Sequence, residues 1–377
     1  MRYLGALILR ERLKRDWSQE GLCREICTVS YLSKIENGKA EPSEEILGLL
    51  FRRLGLAWSE EANRKAALLA QEGYELLFSG CVRKLEMLLT ENDADGFRQT
   101  PSGLDFMLLG GFCGKKIPDV AMEVCMDTRQ LGLLRLLQGR FEEAIRLVPC
   151  AYAYFCFGAN ACSKGSYTSA LEMLQTAYDL AAKDGYAEIM LQSRLFMGNC
   201  YCNQLDLANM RKHYLAASRL AKAMGDEDAL YHIGYNTAAT NMECGQYEEA
   251  YLFFAGLRDP EMLSLHKLAI CCEKTGRTEE ALCALQRAGE MESDYPDTET
   301  TKLLCALVRY RVEHPDYLRR DAYGELLLQV FGVCQKKLPR GYATFHLPWV
   351  LEWCKASRQY KMAMELMTEF PENHGVK

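Results

Sequence analysis

The stretch that decides the N-terminal fold lies at residues 18–43 and reads SQEGLCREICTVSYLSKIENGKAEPS. Ser18 and Thr28 each precede apolar residues at helical spacing, and either side chain can cap a helix by accepting a bond from a backbone N–H. Asn37-Gly38 then supplies the left-handed residue that ends a helix. The Pro-Ser pair that closes the stretch, followed by two glutamates, is typical of a further helix start. The stretch therefore predicts several short, closely connected helices.

The order of three strings within this stretch, Ser-Gln-Glu, Ser-Lys-Ile-Glu-Asn-Gly and Pro-Ser, resembles the Cro/repressor-type, or Xre-type, helix-turn-helix. The resemblance covers residues 3–56. The turn is one residue shorter than in the commonest form and in this respect is similar to PlcR-like regulators. Glu11 stands where the family usually has an apolar residue on its first helix.

The resemblance implies that the third helix enters the major groove of DNA, with its N-terminal turns at base edges and phosphate contacts around it. Taken singly, the serine and threonine residues could be only helix caps and the lysines only a solvated face. The ordered string favours DNA binding. The implied base-contacting residues are Thr28, Val29, Ser30 and Tyr31. The implied phosphate-contacting residues are Ser18, Gln19, Lys34 and Lys39.

The rest of the chain contains a recurring block in which a turn is followed by a helix start. Each copy has glycine for the turn, an aromatic residue or threonine at the helix entry, and alanine for close helix approach. The copies lie at 139–144, 165–170, 245–250 and 276–281, with degenerate copies at 205–217 and 358–363. These blocks resemble tetratricopeptide repeats, whose first helices line a concave surface. The spacing leaves at least one unrecognised helix pair between Pro296 and Pro348.

No stretch of strict two-residue alternation persists, so strands are not supported. The sequence predicts an all-α fold, in which an N-terminal helix-turn-helix bundle is followed by a right-handed TPR-like α-solenoid. We expect a DNA-binding domain at 1–56, a linker helix at 57–80, and a repeat domain at 81–377 for peptide binding and dimerisation.

The repeat register predicts a groove with an apolar floor and polar groups along it. An asparagine amide there can pair with both backbone groups of an extended peptide. Arg194 and Lys267 could bind a carboxylate, although exposed surface charge is the simpler interpretation of each. The predicted peptide-binding residues are Gln192, Arg194, Leu195, Asn199, His232, Tyr235, His266, Lys267 and Ile270.

Composition excludes several other classes of protein. The 377 residues carry a net charge of −6, and the first 56 hold 10 Lys+Arg against 8 Asp+Glu, a mild excess of +2 that is compatible with a DNA-binding head. No apolar run approaches the length that spans a bilayer, so we expect a cytoplasmic protein without a membrane partner. The 17 cysteines form no CxxC pair and are interpreted as reduced core thiols. We expect no metal, cofactor or enzymatic site, because no catalytic string appears.

The combination of an Xre-type head with TPR-like repeats resembles the RRNPP regulators. The resemblance implies a bacterial transcriptional regulator that binds a palindromic operator as a homodimer. A short signalling peptide in the repeat groove would control it, as in quorum sensing. Two alternatives stay open: a Rap/NprR-like response-regulator phosphatase or anti-activator, and a redox-sensing repressor that uses some of the cysteines.

Overall fold

A computed structural model describes residues 2–293, 296–338 and 340–370. In these segments every regular element is a helix, which confirms the all-α prediction. The chain divides into two compact units, Met1–Cys200 and Tyr201–Lys377. Among the described helices, none combines the length and the apolar content needed to cross a membrane.

The N-terminal head consists of four helices, three of which begin at residues that the sequence predicts as helix starts. Ser18 Oγ accepts from the Gly21 N–H at 3.0 Å, and Thr28 Oγ1 accepts from the Tyr31 N–H at 3.2 Å. Both caps satisfy backbone donors that have no partner inside the helix. The head helices are α1 (Arg2–Leu13), α2 (Gln19–Cys23), α3 (Val29–Glu36) and α4 (Glu44–Arg53).

Three further helices follow the head. Tyr74 Oη on the first of them donates to Asp105 on the third, which ties the two together. The first occupies most of the predicted linker segment. These helices are α5 (Glu60–Phe78), α6 (Val82–Glu91) and α7 (Gly103–Phe112), with 3-10 turns at Ala94–Gln99 and Val120–Cys125.

The apolar core of the head continues into the helices of the body. Leu4 and Ile8 of α1 belong to one buried cluster with Leu104 of α7 and Leu134, which lies further along the chain. The Tyr3 hydroxyl also donates to a backbone carbonyl before α7. The buried core of the first unit therefore runs across position 56, and the predicted boundary between a head and a linker stays a prediction.

The remaining helices form successive helical hairpins, in which short turns join neighbouring helices. They are α8 (Thr128–Leu137), α9 (Phe141–Leu147), α10 (Ala151–Ser163), α11 (Tyr167–Asp184), α12 (Ala187–Asn203), α13 (Leu207–Met224), α14 (Glu227–Glu243), α15 (Tyr247–Ala255), α16 (Met262–Lys274), α17 (Thr278–Gly289), α18 (Thr298–Glu313), α19 (Asp321–Lys337), α20 (Arg340–Ala356) and α21 (Tyr360–Glu369).

Each recurring sequence block forms the turn and second helix of a hairpin. The alanines of the four clear copies, Ala144, Ala170, Ala250 and Ala281, are fully buried. The glycine that opens each block has a positive φ, between 72° and 79°, which a residue with a Cβ rarely adopts. In the first unit α8 packs on α9 and α10 on α11, and in the second α14 packs on α15 and α16 on α17. The helix-pair prediction is confirmed at these four blocks.

Helices α18 and α19 form the pair for which the repeat spacing left room. They pack against each other, which confirms the prediction of an unrecognised pair between Pro296 and Pro348. A 3-10 turn at Tyr317–Arg319 lies in their connection, in place of the glycine turn of the four clear blocks. The pair therefore lacks the sequence block that marks its neighbours.

Arg311 of α18 is a buried charge that joins four helices of the second unit. Its Nη2 lies 2.9 Å from Glu273 Oε1 on α16, and its Nη1 donates to Tyr323 Oη on α19 at 3.2 Å. The guanidinium carbon also lies 4.0 Å from the ring centroid of Trp349 on α20. A buried charge needs such pairing, because its desolvation is costly.

We expect the protein to lose stability in acid because of His346, which is buried in α20. Burial lowers the pKa of His346 from 6.5 to about 4. Between these values the unfolded chain binds a proton that the folded chain excludes, so stability falls as the pH drops below about 6.5. The loss at pH 5 should be about 2 kcal/mol from this residue. Burial also lowers the pKa of His266, which acts in the same direction.

Urea unfolding at pH 7.5 and pH 5.0 checks this prediction. His346→Gln should lose less stability between the two pH values than the wild type does. The matched control is His232→Gln, because His232 is exposed. An equal pH dependence in the wild type and His346→Gln would contradict the prediction.

Candidate functional site

Helix α3 presents a small exposed surface at its N-terminal turn. Thr28, Val29 and Ser30 are exposed, and Val29 keeps 43% of its surface accessible. Tyr31 is half-buried, and its hydroxyl donates to the backbone carbonyl of Glu41 at 3.4 Å. On the opposite side, Leu32 and other apolar residues anchor the helix in the core. The structure thus places the four predicted base-contacting residues together on one helix start.

A buried ion pair fixes the orientation of this helix. Arg12 Nε donates to Glu36 Oε1 at 2.6 Å, and Arg12 Nη2 donates to Glu36 Oε2 at 3.0 Å. The remaining guanidinium nitrogen donates to the Trp17 carbonyl at 2.7 Å. Gln19 Nε2 adds a bond of 2.7 Å to Glu36 Oε2. One carboxylate therefore connects α1, the start of α2 and the end of α3.

The bond to Glu36 limits the phosphate contact that was predicted for Gln19. Because one amide proton of Gln19 is committed to Glu36, only the other amide proton of this side chain remains to donate to a phosphate oxygen. Ser18 is exposed and caps α2. Lys34 and Lys39 are both exposed, as a phosphate contact requires. The phosphate contacts themselves stay predictions.

Helix α1 approaches α3 very closely at Gly5. A Cβ at this position would lie 2.1 Å from the Ile35 carbonyl oxygen, well inside van der Waals contact. The close approach holds the backbone of α1 against the end of α3 and leaves room for no larger side chain. Gly5 and the Arg12–Glu36 pair were not identified from sequence, because nothing local to either residue shows which part of the chain it meets.

Arg53 is a further residue of the head that sequence reasoning missed. Its Nη1 donates to the Leu22 carbonyl at 3.1 Å and to the Arg24 carbonyl. These carbonyls end α2, where a cation is favoured. The adjoining residue Glu25 adopts a left-handed conformation, with φ of 62°. Arg53 therefore secures the short turn that leads into α3.

Four of the predicted peptide-binding residues lie on α12, in the part that belongs to the first unit. Gln192 Nε2 donates to Glu188 Oε1 at 3.0 Å, and the Arg194 guanidinium lies 3.9 Å from the ring centroid of Tyr178. Leu195 is buried, and Asn199 is half-buried. A direct contact between a ligand and Leu195 would require the surrounding helices to move.

The other five residues lie in the second unit, on α14 and α16. The structure brings two of them together, because the Lys267 ammonium lies 5.7 Å from the ring centroid of Tyr235. His232 is exposed. His266 and Ile270 are enclosed in the core, at 3% and 0% exposure. The sequence placed both on the groove surface, whereas the structure surrounds them with protein. Their role in peptide binding stays a prediction.

Several cysteines of the chain lie where burial disfavours the thiolate, while Cys244 and Cys283 are exposed. Burial raises the pKa of Cys27, of Cys113 and of the Cys150 thiol, so these sulfurs are not activated as thiolates. A hydrogen bond with Cys200 lowers the pKa of Cys162, but both side chains are buried. In the described segments, no group of three or more His, Cys, Asp or Glu side chains has the arrangement of a metal site.

Comparisons with known proteins agree with this architecture. Residues 8–60 match the helix-turn-helix family model HTH_3. The chain is similar to the crystal structure of a Rap protein complexed with competence and sporulation factor, with 13% identity and a TM-score of 0.54, covering 83% of this chain and 100% of that chain. The Xre-type helix-turn-helix prediction is confirmed by the family match, and the helical-repeat fold by the similarity to Rap.

Two further solved structures align with lower scores. One is PlcR of Bacillus thuringiensis in complex with the peptide PapR7 and DNA, at 14% identity and a TM-score of 0.30, covering 75% of this chain and 99% of that chain. The other is the apo form of the competence regulator ComR from Streptococcus vestibularis, at 13% identity and a TM-score of 0.25, covering 74% and 98%. No curated protein sequence matches this chain.

We expect Arg12→Met to destabilise the head strongly, because it leaves the Glu36 carboxylate buried without its partner. The cost of breaking a buried pair in this way is about 3–5 kcal/mol. Hydrogen exchange of the α3 amides in the full chain should accelerate accordingly.

The double variant Arg12→Met/Glu36→Met tests the cause, since it removes both charges and should recover most of the protection. Arg10→Met is the matched control, because Arg10 is exposed and pairs only at the surface. Equal exchange rates in Arg12→Met and Arg10→Met would show that the buried pair does not hold α3.

Proposed function

We propose that this protein is a cytosolic transcriptional regulator that binds a palindromic operator as a homodimer and responds to a short signalling peptide bound by its helical body. The observation that carries the proposal is the exposed N-terminal turn of α3, held in place by the buried Arg12–Glu36 pair. A rigid helix with a polar, solvent-facing start is what major-groove reading requires. The helix-turn-helix match over residues 8–60 supports the same function.

The side chains at the start of α3 allow a modest set of base contacts. Val29 offers methyl groups that suit the thymine methyl, and Ser30 offers one hydroxyl that accepts or donates. Neither makes the bidentate contacts that discriminate most strongly between bases. Sequence preference should therefore rest partly on DNA shape. Lys34 and Lys39 would add affinity without sequence information.

Dimerisation follows from the small surface of a single head. One recognition helix covers few base pairs, and paired heads on a two-fold-related site read twice as many. A dimer held together by the body raises the effective concentration of the second head. We therefore propose that the body supplies the dimer contacts and that half-sites lie about one helical turn, or a multiple, apart.

The helical body provides the ligand-binding part of the proposal. The Rap structure, whose fold this chain shares, was solved in complex with competence and sporulation factor. In this chain the half-buried residues Gln192, Asn199, Tyr235 and Lys267 carry polar groups at helix faces where a peptide backbone could pair. For the peptide to act as a signal, it must bind one geometry of the dimer more tightly than another.

The two alternatives are less well supported. A response-regulator phosphatase has no need of the helix-turn-helix at residues 8–60, and we propose no enzymatic activity. A redox-sensing repressor needs accessible thiolates, whereas burial raises the pKa of Cys27, the cysteine beside the recognition helix.

Two substitutions on α3 should have different effects on DNA binding. Ser30→Ala should change the preferred sequence, because it removes a hydroxyl from the base-facing turn. Lys34→Ala should weaken binding to all sequences and reduce the slope of log affinity against log salt by about 1, because one phosphate contact is lost. Selection from a random DNA library, followed by titration at several salt concentrations, measures both.

Lys302→Ala is the control, since this exposed lysine lies on α18 in the second unit. Failure of the wild type to enrich any sequence, with or without added peptide libraries, would refute the regulator proposal.

A further inference from the structure

Lys267 is a basic residue of the second unit that forms no ion pair with any residue that the structure describes. The residue lies on α16 and is half-buried. Among the residues that the structure describes, no Asp or Glu oxygen lies within 4.0 Å of its ammonium group. The nearest aromatic contact is the Tyr235 ring on α14, at 5.7 Å from the ring centroid. Surface lysines remain in water, but this one is partly withdrawn from it.

The surroundings of Lys267 make an unpaired ammonium unfavourable. Burial lowers the pKa of Lys267, because the charged form loses hydration. Glu243 on α14 opposes this effect from beyond ion-pair distance. Glu243 itself is exposed at the end of α14, so the lysine is the more withdrawn of the two groups, and they make no direct contact.

An aromatic surface lies beside the ammonium. The Tyr235 ring meets Phe254 edge-on at 5.8 Å between centroids, and Tyr231 at 6.1 Å. Tyr231 in turn approaches Phe253 at 6.3 Å. An amphipathic ligand with an apolar body and one negative group fits this combination of rings and charge.

We propose that Lys267 anchors a carboxylate of the peptide that the helical body binds, with an apolar part of that peptide against the Tyr235 ring. This inference rests on the proposed function and specifies the chemistry of its ligand. A carboxylate would give the ammonium the charge-assisted partner it lacks. It would also be repelled by Glu243, so these two residues have opposite effects on the same ligand.

A carboxylate can come from the peptide C-terminus or from an Asp or Glu side chain. Three libraries of synthetic heptapeptides separate these sources. The first has a free C-terminus and no Asp or Glu, the second is amidated and has no Asp or Glu, and the third is amidated and has one Asp or Glu at a varied position. Each is mixed with the full-length protein, and the retained peptides are identified by mass spectrometry after size exclusion.

We expect the wild type to retain peptides from the first or the third library and none from the second. Lys267→Met should reduce affinity for the retained peptides by about tenfold or more, the usual effect of losing a charge-assisted hydrogen bond. Lys267→Arg should keep most of the affinity. Glu243→Gln should tighten binding, because it removes a like charge. Lys274→Met is the matched control, since Lys274 lies on the same helix and already has Glu273 at 3.8 Å.

The outcomes separate this inference from the proposed function. Retention of the second library by the wild type and by Lys267→Met alike would overturn the carboxylate anchor and leave peptide binding intact. Weaker binding in Glu243→Gln, equal to that in Lys267→Met, would also overturn it, because charge would not be the cause. Failure of the wild type to retain any library would overturn peptide binding itself. Circular dichroism of each variant verifies that it is folded.

Discussion

The geometry of the DNA-binding head depends on one buried interaction, the pair between Arg12 and Glu36. A buried ion pair contributes little net stability, because desolvation offsets most of the attraction. The pair instead fixes the orientation of α1 relative to α3, because a bidentate guanidinium–carboxylate contact requires a specific geometry. The Gly5 approach to α3 and the Gln19 bond to Glu36 both require that arrangement. The exposed start of α3 is positioned as a consequence.

The shared core of the first unit limits how a signal can reach DNA. Leu104 and Leu134 of the body helices lie in the same buried cluster as Leu4 and Ile8 of the head. A well-packed core resists small displacements of its parts. In the proposed regulator, a ligand that alters DNA binding would have to repack this cluster or change the relation between two copies of the chain. The second route leaves the core intact, so it is the route that the proposed homodimer would use.

Features that depend on neighbouring residues could be predicted from the sequence, whereas contacts between distant residues could not. The caps at Ser18 and Thr28 and the glycine turns of the repeats depend on residues within a few positions of one another, and all were predicted. The pairing of Arg12 with Glu36 spans 24 residues and has no local pattern. The pair α18 and α19 was inferred only from spacing, because its connection lacks the glycine block. Periodicity also gave no way to know how deeply His266 and Ile270 are buried.

Arg311 and Lys267 are two basic side chains of the second unit with different surroundings. The Arg311 guanidinium pairs with Glu273, donates to Tyr323 and lies over the Trp349 ring, so its charge is already compensated within the protein. Lys267 lies on the same helix as Glu273, but among the described residues its ammonium has only the Tyr235 ring at 5.7 Å and the Glu243 carboxylate beyond ion-pair distance. Keeping such a lysine costs stability, because its desolvation is not compensated. The proposed carboxylate anchor would compensate this cost, which a methionine at the same position would not incur.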